Sequence, residues 1–175
     1  MAASTVIIGL VDPKSPSNVG AVMRAAGCYA ASAVRYSGQR YDRAARFHTD
    51  TKNVSSKIAL THTPCLLDDL PAGMQVICVE LVEGATALPG FEHPTDALYL
   101  FGPEDGSLSQ ELVDRADAVV YIPTIGCMNL AATVNVVLYD RLAKSAEIAA
   151  GDELIRQSRD TNNRVRVSPP PSFSG

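Results

Sequence analysis

The chain alternates short, unbroken apolar runs with stretches whose apolar residues recur every three or four positions. Residues 5–11 are continuously apolar or β-branched and stop at Asp12 and Pro13, as in a strand buried on both faces of a parallel sheet. After them, Val19, Val22, Met23 and Ala26 lie at helical spacing, with Ser17 or Asn18 placed to cap the helix and Gly27 placed to end or weaken it. A short strand is predicted at 33–36, a helix or polar connection at 41–49, a weak strand at 58–61 and a short helix at 66–70. Clear strands follow at 75–81 and 97–101, then a helix over 107–116 opened by Ser107, with Leu108, Leu112 and Val113 inward. A further strand at 118–122 precedes Pro123. Residues 129–143 are apolar almost all round, which demands burial by more than one sheet; a dimer partner or a chain threaded through a loop supplies it. Repeated strand-then-helix order predicts a single-domain α/β fold on a doubly wound parallel sheet.

Length and composition fit that fold. At 175 residues, 46% hydrophobic and 19% charged, the chain is long enough to bury a core without metals or disulfides. The folded domain is expected over 1–150, with 151–175 a helical extension that frays into a disordered tail closed by Pro169, Pro170 and Pro171. No apolar run is long enough to span a bilayer and the first residues do not form a signal peptide, so a cytoplasmic protein without a membrane partner is expected. Cys28, Cys65, Cys78 and Cys127 are scattered without a CxxC pair, which suggests neither a metal site nor a disulfide framework. The net charge of -4 is unusual for a protein that meets phosphate. Locally, however, Arg35, Arg40, Arg43, Arg46, Lys52 and Lys57 are interrupted only by Asp42 and Asp50. That is the pattern of a basic face on an acidic protein, or of a solvated charged surface.

The chemistry concentrates in three segments. Asn18-Val19-Gly20-Ala21-Val22-Met23-Arg24 lies in the first helix. Leu100-Phe101-Gly102-Pro103-Glu104-Asp105 ends one strand; Ile122-Pro123-Thr124 ends another, followed by Met128-Asn129-Leu130-Ala131. Two strands that stop this way place their turns side by side at the carboxyl edge of a sheet, where open α/β folds bind ligands. In order and spacing these segments resemble the signature motifs of the SpoU/TrmH family, the S-adenosylmethionine-dependent RNA ribose 2'-O-methyltransferases of the SPOUT superfamily, which carry a trefoil knot. The likeness runs over 6–142 and makes 1–150 a SPOUT methyltransferase domain.

The resemblance implies S-adenosyl-L-methionine as cofactor, a tRNA or rRNA as partner, a homodimer and no metal. It makes Arg24 the catalytic residue, anchoring a phosphate or a developing alkoxide, since a guanidinium stays protonated and is a poor base. Asn18 would orient Arg24 or the ribose, Glu104 would set the arginine and the loop beside the methyl donor, and Asn129 would hold the third loop and help place the acceptor. Gly102, Ile122, Cys127 and Met128 correspond to cofactor-contacting positions, with Glu80 and Leu81 nearby. Tyr139 matches a common family tyrosine, although packing explains it equally well. Cys127 stands where the family usually has serine, the segment from 123 to 129 is shorter than the family's, and Gly106 and Ser107 are exchanged relative to its second motif. Cys127 is no candidate nucleophile, because His48, His62 and His93 belong to distant segments. The alternative to a methyltransferase is a knotted RNA-binding protein of weak catalysis with a reduced cofactor loop. A Rossmann nucleotide enzyme is disfavoured, because no Gly-x-Gly-x-x-Gly follows the first strand.

Overall fold

The computed structural model describes residues 4–47, 58–146 and 148–168. The predicted Lys52 and Lys57, His48, the end of the 41–49 segment and the terminal prolines lie outside them. The chain divides into two compact units, 1–145 and 146–175.

In the first unit, seven parallel strands form one sheet: β1 (Val6–Leu10), β2 (Ala33–Tyr36), β3 (Leu60–His62), β4 (Gln75–Val79), β5 (Thr86–Ala87), β6 (Ala97–Phe101) and β7 (Ala118–Tyr121). Their order across the sheet is β3-β2-β1-β6-β4-β7-β5. The continuous apolar runs arise because both faces of the central strands are covered. Val6, Ile8 and Leu10, with Ala97, Tyr99 and Phe101, pack on one side against α1 (Pro16–Cys28) and α4 (Leu130–Lys144). Ile7, Leu98, Leu100, Val76 and Cys78 pack on the other, with Leu66 and Leu108 and beside α3 (Gln110–Arg115). Gly9 in β1 permits this closeness, since a Cβ there would stand 2.6 Å from Leu100 Cδ2.

Several element boundaries differ from expectation. The first helix is capped by Ser15, whose hydroxyl accepts from the Asn18 amide, and not by Ser17 or Asn18. Pro16 at the first helical position, with its fixed φ, starts the helix earlier. Gly27 does not stop it, and the helix runs to Cys28. Residues 66–70 form turns, not a helix: Asp69 adopts φ 52, and Leu70 precedes Pro71, which disfavours a helical conformation. The helix expected from Ser107 begins at Gln110 under a Ser109 cap, because the Leu108 amide is donated to the Glu80 carboxylate instead. A short α2 (Arg40–Ala45) occupies the start of the polar connection. The two-residue β5 was not anticipated.

Helix α4 buries Leu130, Ala131, Val134, Val137 and Leu138. Ala132, Tyr139 and Ala143 remain exposed, so the subunit's own core covers one stripe of this nearly all-apolar helix. Its C-terminal turns are tied down by Arg141, which donates to the carbonyls of Pro94 and Thr95, and by Lys144, which donates to those of Leu88 and Phe91. The second unit contains α5 (Asp152–Ser158), which has no buried residue. Among the described residues, no helix is long and apolar enough to cross a membrane.

Candidate active site

Strands β1, β6, β4 and β7 end nearly level. Leu10 pairs with Phe101, Phe101 with Val79, and Val79 with Val120. The turns after these strands therefore meet at one edge and enclose a cavity of ≈ 260 Å³. It is lined by Asn18, Glu80, Leu81, Gly102, Glu104, Ile122, Cys127, Met128 and Asn129, every candidate site residue except Arg24. Arg24 is exposed on α1, six positions beyond Asn18, and does not line the cavity. The lining also includes Phe101, Thr124 and Leu130, which lie within the motif segments, and Val79, Tyr121 and Thr133, which the pattern did not single out. The ends of the apolar runs were the signal for Val79 and Tyr121; Thr133 carried none.

A line of hydrogen bonds joins the three motifs. Glu104 accepts from the Lys14 amide at 2.9 Å and the Ser15 amide at 3.0 Å, and from Asn18 Nδ2 at 3.3 Å. Asn18 Oδ1 in turn accepts from Asn129 Nδ2 at 3.1 Å. Asn129 Oδ1 caps α4 through the Ala131 and Ala132 amides. Each amide therefore has its oxygen and nitrogen assigned by its partners. Burial pushes the Glu104 carboxyl up, but the hydrogen bonds from its own backbone amide, Ser15, Lys14 and Asn18 together outweigh it and leave its pKa below the ordinary value. Glu104 is thus a carboxylate at neutral pH, suited to holding donors and not to giving a proton.

Glu80 braces the opposite wall, accepting from the Leu81 amide at 3.0 Å and the Leu108 amide at 2.9 Å. Gly102 lies between these walls; a Cβ there would stand 3.2 Å from Leu108 N and 3.3 Å from Glu80 Oε2. The third loop turns through Gly126 at φ 96, with the Thr124 hydroxyl donating to the Gly126 carbonyl. Its Ile125 is fully exposed.

The lining combines apolar walls with Glu80 and Glu104 and includes neither lysine nor arginine. Such a site suits a ligand with an aromatic end and a positive centre, and disfavours a polyphosphate. Among the described residues no cluster of His, Cys, Asp and Glu could hold a metal. His62 instead contacts the Gly38 carbonyl, and His93 is buried beneath α4.

The comparisons with known proteins agree with this architecture. The chain resembles a structure described as giving structural insights into the 2-OH methylation of C/U34 on tRNA, with TM-score 0.68, 22% identity, and coverage of 82% of this chain and 92% of that one. It also resembles the A. aeolicus TrmH/SpoU tRNA modifying enzyme, with TM-score 0.62, 15% identity, and coverage of 79% and 74%. A third likeness is to an AdoMet-bound rRNA methyltransferase from Sinorhizobium meliloti, with TM-score 0.62 and 22% identity, covering 81% of this chain but 57% of that one. No curated protein matches by sequence. The pattern of the SpoU rRNA Methylase family matches residues 5–139, which contain the whole sheet, α1, the first two-thirds of α4 and the entire cavity lining; the chain belongs to the SpoU rRNA Methylase family.

Proposed function

We propose that this protein is an S-adenosylmethionine-dependent methyltransferase acting on the ribose 2'-hydroxyl of a tRNA or rRNA nucleotide. The observation that carries this reading is the line Glu104–Asn18–Asn129, which ties three sequence-distant motifs around one cavity. The apolar walls and the two carboxylates fit an adenosine and a sulfonium. When bound, S-adenosylmethionine supplies an activated methyl group. The backbone at Gly102, Ile122 and Met128 offers main-chain groups for a purine edge, while Glu80, Leu81 and Cys127 complete the rim.

The chain's own residues then have to place and activate the acceptor. Asn18 and Asn129, oriented by each other and by Glu104, present a fixed polar edge to the ribose. Arg24 holds the adjoining phosphate and stabilises negative charge developing on the 2'-oxygen as the hydroxyl gives up its proton to water. Because Arg24 does not line its own subunit's cavity, it serves the cavity of a second copy. The exposed Tyr139 and Ala143 stripe of α4 supports that homodimer. The family's trefoil knot belongs to the same reading; its support is that β6 lies between β1 and β4 while β7 passes outside β4.

The test uses methyl-labelled S-adenosylmethionine and a pool of unmodified tRNA and rRNA transcripts, digested to nucleosides. Label in 2'-O-methylribose, lost in Arg24→Ala with folding and cofactor affinity retained, is the expected result. Label in a base, or full activity in Arg24→Ala, contradicts the mechanism. The shortened third loop, with its exposed Ile125, favours a second reading: a knotted RNA-binding protein of weak catalysis. Retained RNA binding without cofactor binding would select it.

A further inference from the structure

Arg40 belongs to the basic stretch that the sequence offers to phosphate, yet its guanidinium is already engaged. Nη1 lies 2.9 Å from both carboxylate oxygens of Asp105, and Nη2 donates to the Asp12 carbonyl at 2.7 Å. Nε stands 2.9 Å from Asp12 Oδ2, an ionic contact without hydrogen-bond alignment. Asp105 directly follows Glu104, and Asp12 opens the loop whose Lys14 and Ser15 amides Glu104 holds. One cation therefore joins the turn after β1, the start of α2 and the turn after β6.

The backbone is built around this junction. Asp12 adopts φ 41, a conformation that L residues other than glycine enter at a cost and keep only when their surroundings enforce it. Gly38, at φ 77, leaves room for it: a Cβ on Gly38 would fall 2.0 Å from Asp12 Oδ1. Asp12 N also donates to the Ser37 hydroxyl at 3.3 Å. Lys14 Nζ approaches Asp105 at 3.7 Å, so Arg40 and Lys14 both face that acid.

We propose that Arg40 is a positioning residue: by clamping Asp12 and Asp105 it fixes Glu104 against Lys14, Ser15 and Asn18, and so holds the acceptor side of the site in register. The proposal rests on the methyltransferase reading for its kinetic consequence, but the clamp itself is measurable in the ligand-free protein. Arg40 acts on Glu104 through Asp105, so losing either of that pair releases Glu104, although Asp105→Ala leaves Arg40 on Asp12.

The first readout is amide hydrogen exchange, comparing the wild type with Arg40→Ala, Arg40→Lys, Asp105→Ala and the Arg40→Ala/Asp105→Ala double variant. Exchange at the Lys14 and Ser15 amides is expected to rise about tenfold or more in both single alanine variants, with amides of β1 and β6 unmoved. The double variant should add little to either single change, and Arg40→Lys should restore part of the protection. Unchanged exchange at Lys14 and Ser15 in Arg40→Ala overturns the clamp.

The second readout is methyl transfer to the tRNA and rRNA transcript pool. Arg40→Ala and Asp105→Ala should both lower kcat, by roughly ten- to a hundredfold, with the RNA KM steady. An RNA KM that rises in Arg40→Ala while Asp105→Ala stays active would make Arg40 a phosphate contact and overturn the proposal. If the wild type transfers no methyl group, the methyltransferase reading fails, and the exchange experiment still decides the clamp.

Discussion

At the scale of single residues, Glu104 and Asn129 each satisfy several backbone donors at once, and this makes them sensitive positions. Asn129→Ala uncaps the Ala131 and Ala132 amides and removes the donor to Asn18. We expect a loss of about 1–2 kcal/mol in urea denaturation, together with weaker cofactor binding; an unchanged midpoint would contradict the capping role. Glu104 is ionised below its ordinary pKa in the folded state, so its contribution is present above about 4.5 and lost as pH falls through the lowered value. Glu104→Gln should flatten that part of the acid unfolding curve. The motif residues were legible in sequence because their types and local spacing are the signal. The Arg40–Asp105 contact was not: its partners are 65 positions apart, and a charged pair at that separation has no local pattern. Arg40 instead stood in a basic run that pointed to RNA.

Among the elements, α4 is the one that carries a wall of the site at one end and is tied down at the other. Its first turn carries Asn129 and Leu130 into the cavity, and its last turns are anchored through His93. That ring is buried, its side chain 4% exposed, with Nε2 2.8 Å from Asp140 and Nδ1 2.6 Å from the Tyr99 hydroxyl. Asp140, held as a carboxylate below its ordinary pKa despite burial by Lys144 and His93, is an acceptor. Nε2 therefore carries the proton and Nδ1 accepts from Tyr99, whose oxygen accepts from Arg141. Burial lowers the His93 pKa from its ordinary 6.5, and Arg141 and Lys144 act the same way; together they prevail over the pull of Asp140. A group that binds its proton more readily when unfolded gives stability that is full above the unfolded pKa and lost as pH falls through the folded one. Thermal stability should therefore fall below about pH 6.5, and His93→Gln should remove that slope whatever its effect at neutral pH. A wild-type slope of opposite sign would show that the ring is charged in the folded protein. Strand runs were legible because two buried faces leave no polar position. The 66–70 helix failed where Asp69 and Pro71 override an apolar pattern, and the His93 anchor was invisible because a lone histidine before a strand has no distinguishing context.

For the whole molecule, the apolar face left on α4 and the position of Arg24 outside its own cavity point the same way. Sedimentation equilibrium should find a dimer at micromolar concentration, and Tyr139→Arg should shift it to monomer and reduce methyl transfer while preserving cofactor binding. A wild-type monomer would contradict the arrangement in which Arg24 serves a second copy. The sheet and the location of the site could be read from the order of runs and breaks, whereas the size of the cavity depends on the path of the third loop. The ≈ 260 Å³ cavity falls just below the roughly 300–1,000 Å³ usual for small-molecule sites. The central claim, that these motif loops form a methyl-donor site, is tested most directly by calorimetric titration of the purified chain with S-adenosylmethionine and S-adenosylhomocysteine. The account predicts one site per chain with a dissociation constant on the order of micromolar, weakened by Asn129→Ala and unchanged by Arg24→Ala. Folded protein that takes up neither ligand would contradict it.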